Sequence, residues 1–520
     1  MKSSFEDAPN RNISTASNQK VSTRNLLMYS LGTFGRDFLY VLFSTQLLNY
    51  ILFTKQISKA EFGYITLIII LARIFDALND PIMGVIVDNT RSRWGKFKPW
   101  QFVGALLTGI VVIVLFTTNL QGSAFVGLLG GMYFMFSITF TMNDISYWGM
   151  MPSLTSDEHE RSKLMSAAQL VASAGGGLAG FLIPVLTIGA FAIKGSAIAG
   201  YKVIAYMAAI LMVGFQLFTL LGVKEKSISV QVENKLSLKQ MFPKLIKNDQ
   251  LMWSCLVIIL YMVGTGVVFN GLSTAYVYFE FGYSGLLATL FFAFLAVATT
   301  LFTVTYPWLE KKFTRTKMVY YTGFSIIFGY LLLLIIGLVF PSSPPQTVLW
   351  YVKYGIMALT LAIVGFGQGF YMIMVIAMAN TVEYSEHKTG IREEGLFFSL
   401  RPFAAKFSSA ITQGIVTMVY LIAGVLTYTN GISALENEAA QGVITEDIKL
   451  NKINEIIESV SNSSKIVLLV SMCLIPMIFM TVALIIYKKK YILDEKTFNN
   501  ILKELEERKG DKLEEIKADN

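Results

Sequence analysis

The chain is poor in charge. Only 15% of its 520 residues are Asp, Glu, Lys or Arg, while 54% are apolar and the mean hydropathy is +0.56. A soluble globular domain carries roughly 25% charged residues, so this balance excludes a water-soluble fold. Cysteine is scarcer still. Cys255 and Cys473 are the only two, both inside apolar runs, which reads as packing thiols and leaves no disulfide framework. No glycine-rich phosphate loop of the P-loop kind occurs, so ATP-driven chemistry has no support. Short segments of alternating polarity are also missing, which argues against a membrane β-barrel. The first two dozen residues, through Arg24, are polar without an apolar core or cleavage site, so no removable signal peptide is expected.

What is present is a series of apolar runs, each near the roughly 20 residues a membrane helix needs. Inside a bilayer every backbone N–H and C=O must be satisfied locally, so such runs are helices. Twelve are expected, near 25–53, 60–88, 100–118, 123–151, 163–193, 200–222, 250–281, 284–308, 318–340, 348–380, 397–427 and 465–487. The net charge of +8 could suggest nucleic acid, but its distribution points to topology instead. Arg91, Arg93, Lys96 and Lys98 follow the second run; Lys224, Lys226, Lys235, Lys239, Lys244 and Lys247 follow the sixth. Lys311, Lys312, Arg315 and Lys317 follow the eighth, and Lys488 to Lys490 the twelfth. Basic loops stay on the cytoplasmic side, which places both termini there. An all-α membrane protein with two six-helix bundles results: segment 1–24, bundle 25–222, cytoplasmic connector 223–249, bundle 250–487 and charged tail 488–520. That is the two-bundle plan of the major facilitator fold. The outer loop at 429–464 is long and acidic, and the tail is expected to be a solvated charged helix.

Several charges lie inside these runs, where each costs at least about 2.5–3.5 kcal/mol without a partner or a wet cavity. They are Arg36 and Asp37 on the first span, Arg73, Asp76 and Asp80 on the second, Asp144 on the fourth, and Arg401 and Lys406 on the eleventh. Arg73, Asp76 and Asp80 follow steps of three and four and share one helix face, as do Thr141, Asp144 and Trp148. Two carboxylates with the Asn79 amide and a hydroxyl are the hard oxygen ligands a small cation such as Na⁺ selects. Lys406 would hold the empty site near neutrality. Tyr147 and Trp148, a turn beyond Asp144, suit a sugar, whose C–H face stacks on a ring while its hydroxyls bond a carboxylate. Interhelical ion pairing and simple aromatic packing are the bland alternatives for each of these residues. Gly84, Asp88, Arg91, Arg93 and Lys96 close the second span as a gating loop or as ordinary cytoplasmic charge.

The stretch Ala72-Arg73-Ile74-Phe75-Asp76-Ala77-Leu78-Asn79-Asp80-Pro81-Ile82-Met83-Gly84, with Arg91-Ser92-Arg93-Trp94-Gly95-Lys96 beyond it, resembles the glycoside–pentoside–hexuronide:cation symporters. The likeness continues at Arg36-Asp37, Asp144-Ile145-Ser146-Tyr147-Trp148, Arg161, Thr381-Val382-Glu383-Tyr384, Gly390, Arg392, Glu394-Gly395 and Lys406, so it covers nearly the whole chain. The resemblance implies that Asp76, Asn79, Asp80 and Thr141, with Lys406, form the cation site. It implies that Asp37, Asp144 and Trp148, with Arg36 beside them, contact the sugar. Where the family pattern carries an arginine on the fifth span this chain has Gln169, expected at the substrate with different sugar contacts, and Arg401-Pro402 replaces a glutamine–threonine pair on the eleventh, adding a positive charge. Arg73, Lys406 and Arg401 are expected to balance charge at the site, and Arg161 to act with the gating loop. A phosphotransfer domain after the twelfth span is not expected. The resemblance further implies alternating-access symport of a sugar, glycoside or oligosaccharide with Na⁺, Li⁺ or H⁺, in a multi-pass protein of the bacterial cytoplasmic membrane. Expected partners are the sugar, a monovalent cation and the bilayer; no cofactor, nucleic acid, obligate protein partner or enzymatic activity is expected. Two rivals are a sodium-coupled carrier of an amphiphile such as a lysolipid, against which Asp144 and Trp148 argue, and a non-transporting sensor, against which the intact acids argue.

Overall fold

A computed structural model describes residues 21–155, 157–224, 248–343, 347–390 and 394–518. Residues 1–20, the connector lysines from Lys226 to Lys247, and Arg392 therefore lie outside the described residues, as does the side chain of Glu394. The regular secondary structure of the described residues is all helical, with no strand among them. The N-terminal half holds α1 (Thr23–Ser44), α2 (Leu47–Thr54), α3 (Lys59–Asn89), α4 (Lys98–Thr117), α5 (Gly122–Leu154), α6 (Glu158–Thr187) and α7 (Ala197–Gly222). The C-terminal half holds α8 (Asp249–Val267), α9 (Ser273–Phe281), α10 (Gly285–Phe291), α11 (Ala293–Lys312), α12 (Arg315–Val339), α13 (Val348–Gly367), α14 (Gly369–Ala379), α15 (Thr381–Thr389) and α16 (Glu394–Ile422). Then come α17 (Val425–Ala440), α18 (Glu446–Glu458), α19 (Asn462–Lys490) and α20 (Glu495–Ala518). Among the described residues, ten helical stretches are long and apolar enough to cross a membrane.

Local chemistry explains where helices start and break. Ser58 and Glu61 form a reciprocal capping box at the start of α3, and Asp157 caps α6. Between α8 and α9 a π-turn over Val268–Leu272 relaxes the helix where Gly271 takes a φ of 158°. In the N half α1 packs on α6 and α7, and α5 on α3 and α4; in the C half α8 packs on α16 and α19, and α13 on α11 and α12. Small residues permit the tight crossings. A Cβ at Gly35 would stand 2.1 Å from the Leu211 carbonyl oxygen, so α1 and α7 approach backbone to backbone.

The halves meet at mid-depth and at one end. At mid-depth Lys406 of α16 reaches the Asp76 carbonyl of α3 at 3.0 Å, and nearer that end Thr66 and Thr417 share a hydrogen bond of 2.6 Å. The end opposite Ser22 and Val223 is shut: Gly285 donates to the Ile188 carbonyl at 3.1 Å, and a Cβ on it would lie 1.8 Å from the Pro184 oxygen. Asn430 reaches across to Ile57, accepting from its N–H at 3.0 Å and donating to its carbonyl at 2.8 Å.

Two regions depart from expectation. The 429–464 stretch, read as a loop, folds as α17 and α18, because Ile453 and Ile457, four residues apart, bury against the bundle ends. The tail is not fully solvated. Asp494 caps α20 by accepting from the Thr497 N–H at 2.8 Å, a bond that lowers its carboxyl pKa. Ile501 and Leu505 pack with Leu493 against Tyr384 and Tyr491, and His387 meets Glu504 at 2.6 Å. Deleting 496–520 should leave the site intact but lower Tm by several degrees, since burying an Ile or Leu side chain is worth about 1.5–3 kcal/mol. A melting curve with unchanged midpoint would show that the α20 contact carries no stability.

Candidate substrate and cation site

Two polar clusters sit where α1, α3, α5 and α16 converge. In the first, Arg36 is 3% exposed and lies between two carboxylates. Its Nε and Nη2 donate to Asp37 Oδ2 at 3.0 and 2.8 Å, and its Nη1 donates to Asp144 Oδ1 at 3.1 Å. Trp148 Nε1, one turn along α5, donates to the same Asp144 oxygen at 3.1 Å. The guanidinium also stacks 5.1 Å from the Trp148 ring. One arginine against two aspartates leaves a net charge of about −1. The two acids keep 27% and 37% of their side chains exposed. Asp37 Oδ1 and Asp144 Oδ2 accept no hydrogen bond among the described residues, so both remain open to hydroxyl donors.

In the second cluster α3 presents Asp76 and Asp80 to α5 and α16. Ser137 Oγ donates to Asp76 Oδ1, Arg73 lies 3.8 Å from Asp76 Oδ2, and Thr141 Oγ1 donates to Asp80 Oδ1 at 3.2 Å. Lys406, from the other half, pairs with Asp80 Oδ2 and donates to the Asp76 backbone carbonyl at 3.0 Å. Asn79 turns its amide nitrogen toward the Ser137 carbonyl at 3.4 Å. Two acids face two bases, so this cluster is close to neutral, with the Lys406 ammonium among the oxygens.

Both clusters share one face of α5. Ser137, Thr141, Asp144 and Trp148 follow steps of four, three and four, so a single stripe runs from the Asp76 partner to the aromatic ring. At 1.5 Å per residue, Thr141 and Asp144 are only about 4.5 Å apart along the axis. Ser137 was not among the residues expected from the sequence, although extending the Thr141–Asp144 spacing one step back reaches it.

Other expected residues fall elsewhere. Tyr147, expected at the substrate, is fully buried: its ring stacks on Tyr29 at 4.4 Å and its hydroxyl donates to the Tyr29 carbonyl at 2.5 Å. It braces α5 against α1 and turns only its ring toward Arg36, 5.0 Å away. Tyr147→Phe should therefore cost about 1 kcal/mol of stability and leave sugar affinity within about twofold, while Trp148→Ala should weaken sugar binding with cation binding retained. Equal affinity losses in both variants would overturn that division. Arg401, expected to balance charge, instead donates to Tyr371 Oη at 3.3 Å and makes no ion pair among the described residues. Gln169 is exposed on α6, directly after Ala168, which accepts from Thr33 on α1. In the loop after α3, Asp88 pairs with Lys96 at 2.6 Å, whereas Arg91 and Arg93 are exposed. Gly84 has open space around it, and Arg161 donates to the Thr155 carbonyl at 3.4 Å rather than joining that loop. A buried charge group in the C half, Glu280 with Lys353 at 2.5 Å and Lys465 at 3.6 Å, escaped the sequence reading because each residue sits at the edge of an apolar run.

The α-helical bundle and its two buried charge clusters define a membrane carrier. The chain belongs to the MFS/sugar transport protein family, whose pattern it matches over residues 28–495, as a glycoside–pentoside–hexuronide symporter relative. It is 27% identical over 520 residues to the lactose permease of Leuconostoc lactis, covering 94% of this chain and 73% of that one. It is 30% identical over 421 residues to the raffinose carrier protein of Pediococcus pentosaceus, covering 77% of this chain and 63% of that one. A solved D-xylose–proton symporter superposes with a TM-score of 0.53 at 14% identity, over 85% of this chain and 98% of that one, which shows the fold. The protein is a membrane sugar transporter of this superfamily and not an enzyme.

Proposed function

We propose that the protein is a secondary active symporter that couples a monovalent cation, Na⁺, Li⁺ or H⁺, to uptake of a sugar, glycoside or oligosaccharide. The observation that carries this reading is the shared face of α5, on which the cation ligand Thr141 and the sugar ligand Asp144 lie less than one turn apart. Adding the broken α1–α2 pair and the 31-residue α3 to the ten apolar stretches brings the crossings to twelve. The basic loops then place both termini, and with them the Ser22 and Val223 end of the bundles, in the cytoplasm of a bacterial cell. In this arrangement the extracytoplasmic end is closed.

The side chains divide the work. Asp37 and Asp144 accept sugar hydroxyls, Arg36 fixes their orientation, and Trp148 offers a ring face. Asp76, Asp80, Ser137 and Thr141 supply oxygens to the cation, which has to displace the Lys406 ammonium from Asp80. A cation arriving there moves charge toward Thr141 and hence along α5 toward Asp144, so each ligand raises the other's affinity by the same factor. The bundles then rock about the occupied midplane site. One charge moving down about 100 mV is worth ~2.3 kcal/mol, enough to concentrate sugar nearly fifty-fold. The relatives' names suggest a panel of lactose, raffinose and isoprimeverose. Uptake into vesicles, with an imposed Na⁺, Li⁺ or proton gradient, tests the reading. Accumulation of a sugar under one gradient and not without it is expected; uptake indifferent to all three would remove the coupling.

A further inference from the structure

The helical insert α17–α18 crosses from the C half to the N half at the closed end, and it carries a buried ion pair that the transport site does not use. Glu436 and Lys449 are both 0% exposed and lie 3.1 Å apart. Neither is satisfied within the insert. Glu436 Oε2 accepts from the N–H of Ala197, the first residue of α7, at 2.7 Å. Lys449 Nζ donates to the Gly195 carbonyl at 2.7 Å. Ser196 stands at the N-cap position of α7 but makes no capping bond with its side chain; its hydroxyl donates to the Glu436 carbonyl at 3.2 Å instead. The cap of an N-half helix is thus supplied by a C-half carboxylate, where the positive end of the helix dipole favours it. Asn437 extends the seam, donating to the Thr54 carbonyl at 3.2 Å and accepting from Gln121 at 3.3 Å.

We propose that Glu436 and Lys449 form the extracytoplasmic latch of the transport cycle: they hold that end closed and release α7 and Gly195 when it opens. This rests on the alternating-access reading above. The chemistry suits a reversible contact. Both charges ride on the same insert, so opening does not separate them; it exposes a neutral pair to water, which replaces the backbone partners. In the closed state the same pair is dry, where charge-assisted bonds are strong and an unpaired charge is costly. An apolar seam would instead expose hydrocarbon at every opening.

The test places a reporter thiol in the seam. Leu48 is 6% exposed and packs beside Gly271, and both native cysteines are buried. In L48C, labelling by a membrane-impermeant maleimide from the outer face reports opening. Adding Glu436→Gln with Lys449→Met removes both charges together, so neither is stranded. Labelling about tenfold faster than in L48C alone is expected, because two charge-assisted bonds no longer favour closure. An unchanged rate overturns the latch. Should the paired variant fold poorly, cysteines at Ile57 and Asn430 joined by a short reversible thiol cross-linker test the latch's premise, that the insert leaves the N half in each cycle. Uptake should stop on cross-linking and return with reductant; uptake that continues means the insert never leaves the N half, which also overturns the latch. L48C alone is the reference for transport: failure to take up any sugar strikes the symport reading, independently of the latch.

Discussion

Asp144→Asn should bind sugar about ten- to a hundredfold more weakly than the unaltered protein. Its Oδ1 is already committed to Arg36 and Trp148, both at 3.1 Å, and only Oδ2 is left for a substrate hydroxyl. Asparagine can keep an oxygen toward Arg36, but it then presents an N–H₂ donor where an acceptor was. A hydrogen bond to a charged group is worth about 1.5–3 kcal/mol, and 1.4 kcal/mol is a factor of ten. The cluster charge also moves from about −1 to neutral, so Asp37, which already takes two of the Arg36 bonds, holds less excess charge for a hydroxyl. The cation cluster keeps all its partners, so stabilisation of the purified protein by Na⁺ should survive in Asp144→Asn. Asp37→Asn should lose sugar affinity similarly. Titration of both variants with the sugar panel decides the matter: native affinity for every sugar in both would remove this cluster from substrate binding.

Helix periodicity made much of this site legible. Arg73, Asp76 and Asp80 share a face in the structure because steps of three and four return to the same side of a helix, and Thr141, Asp144 and Trp148 do so for the same reason. The misplacements have the same origin. Trp148 lies about 40° around the axis from Asp144, whereas Tyr147 lies about 60° the other way, far enough to enter the α1 interface and stack on Tyr29. Arg401 is five residues from Lys406, about 140° away, and so turns to Tyr371 instead of the acids. Spacing alone does not say which neighbouring helix a face meets. Composition hid the other two elements. The 429–464 stretch is acidic on balance and α20 is dense in charge, so Ile453 with Ile457 and Ile501 with Leu505, each a narrow apolar stripe, were outweighed by their polar neighbours. Glu436 and Lys449 are opposite charges thirteen residues apart on separate helices, a pairing that only the turn between α17 and α18 brings about.

Asp80→Asn should abolish cation-driven accumulation while leaving sugar binding and sugar-for-sugar exchange measurable. Asp80 has two partners, Thr141 on Oδ1 and Lys406 on Oδ2, and none of the sugar-cluster residues touches it. With the carboxylate gone, Arg73 and Lys406 face Asp76 alone, and the cluster changes from near neutral to about +1. Unit charges about 4 Å apart interact by about 4 kcal/mol at an effective dielectric of 20, so an arriving cation meets net repulsion where the charges were balanced. A loss of at least about a hundredfold in cation affinity follows even if solvent screens much of that term. Lys406 keeps its bond to the Asp76 carbonyl at 3.0 Å and Asp76 keeps Ser137, so the α3–α16 contact persists and the carrier should still fold. Exchange needs only the loaded carrier to reorient, and Asp37, Asp144 and Trp148 are untouched. The purified variant should therefore bind sugar with one affinity, whether Na⁺, Li⁺ or added protons are present. Were Asp80→Asn still to accumulate sugar in response to a Na⁺ gradient, the acids of α3 would be a structural ion-pair network, and the coupling ion would have to bind elsewhere.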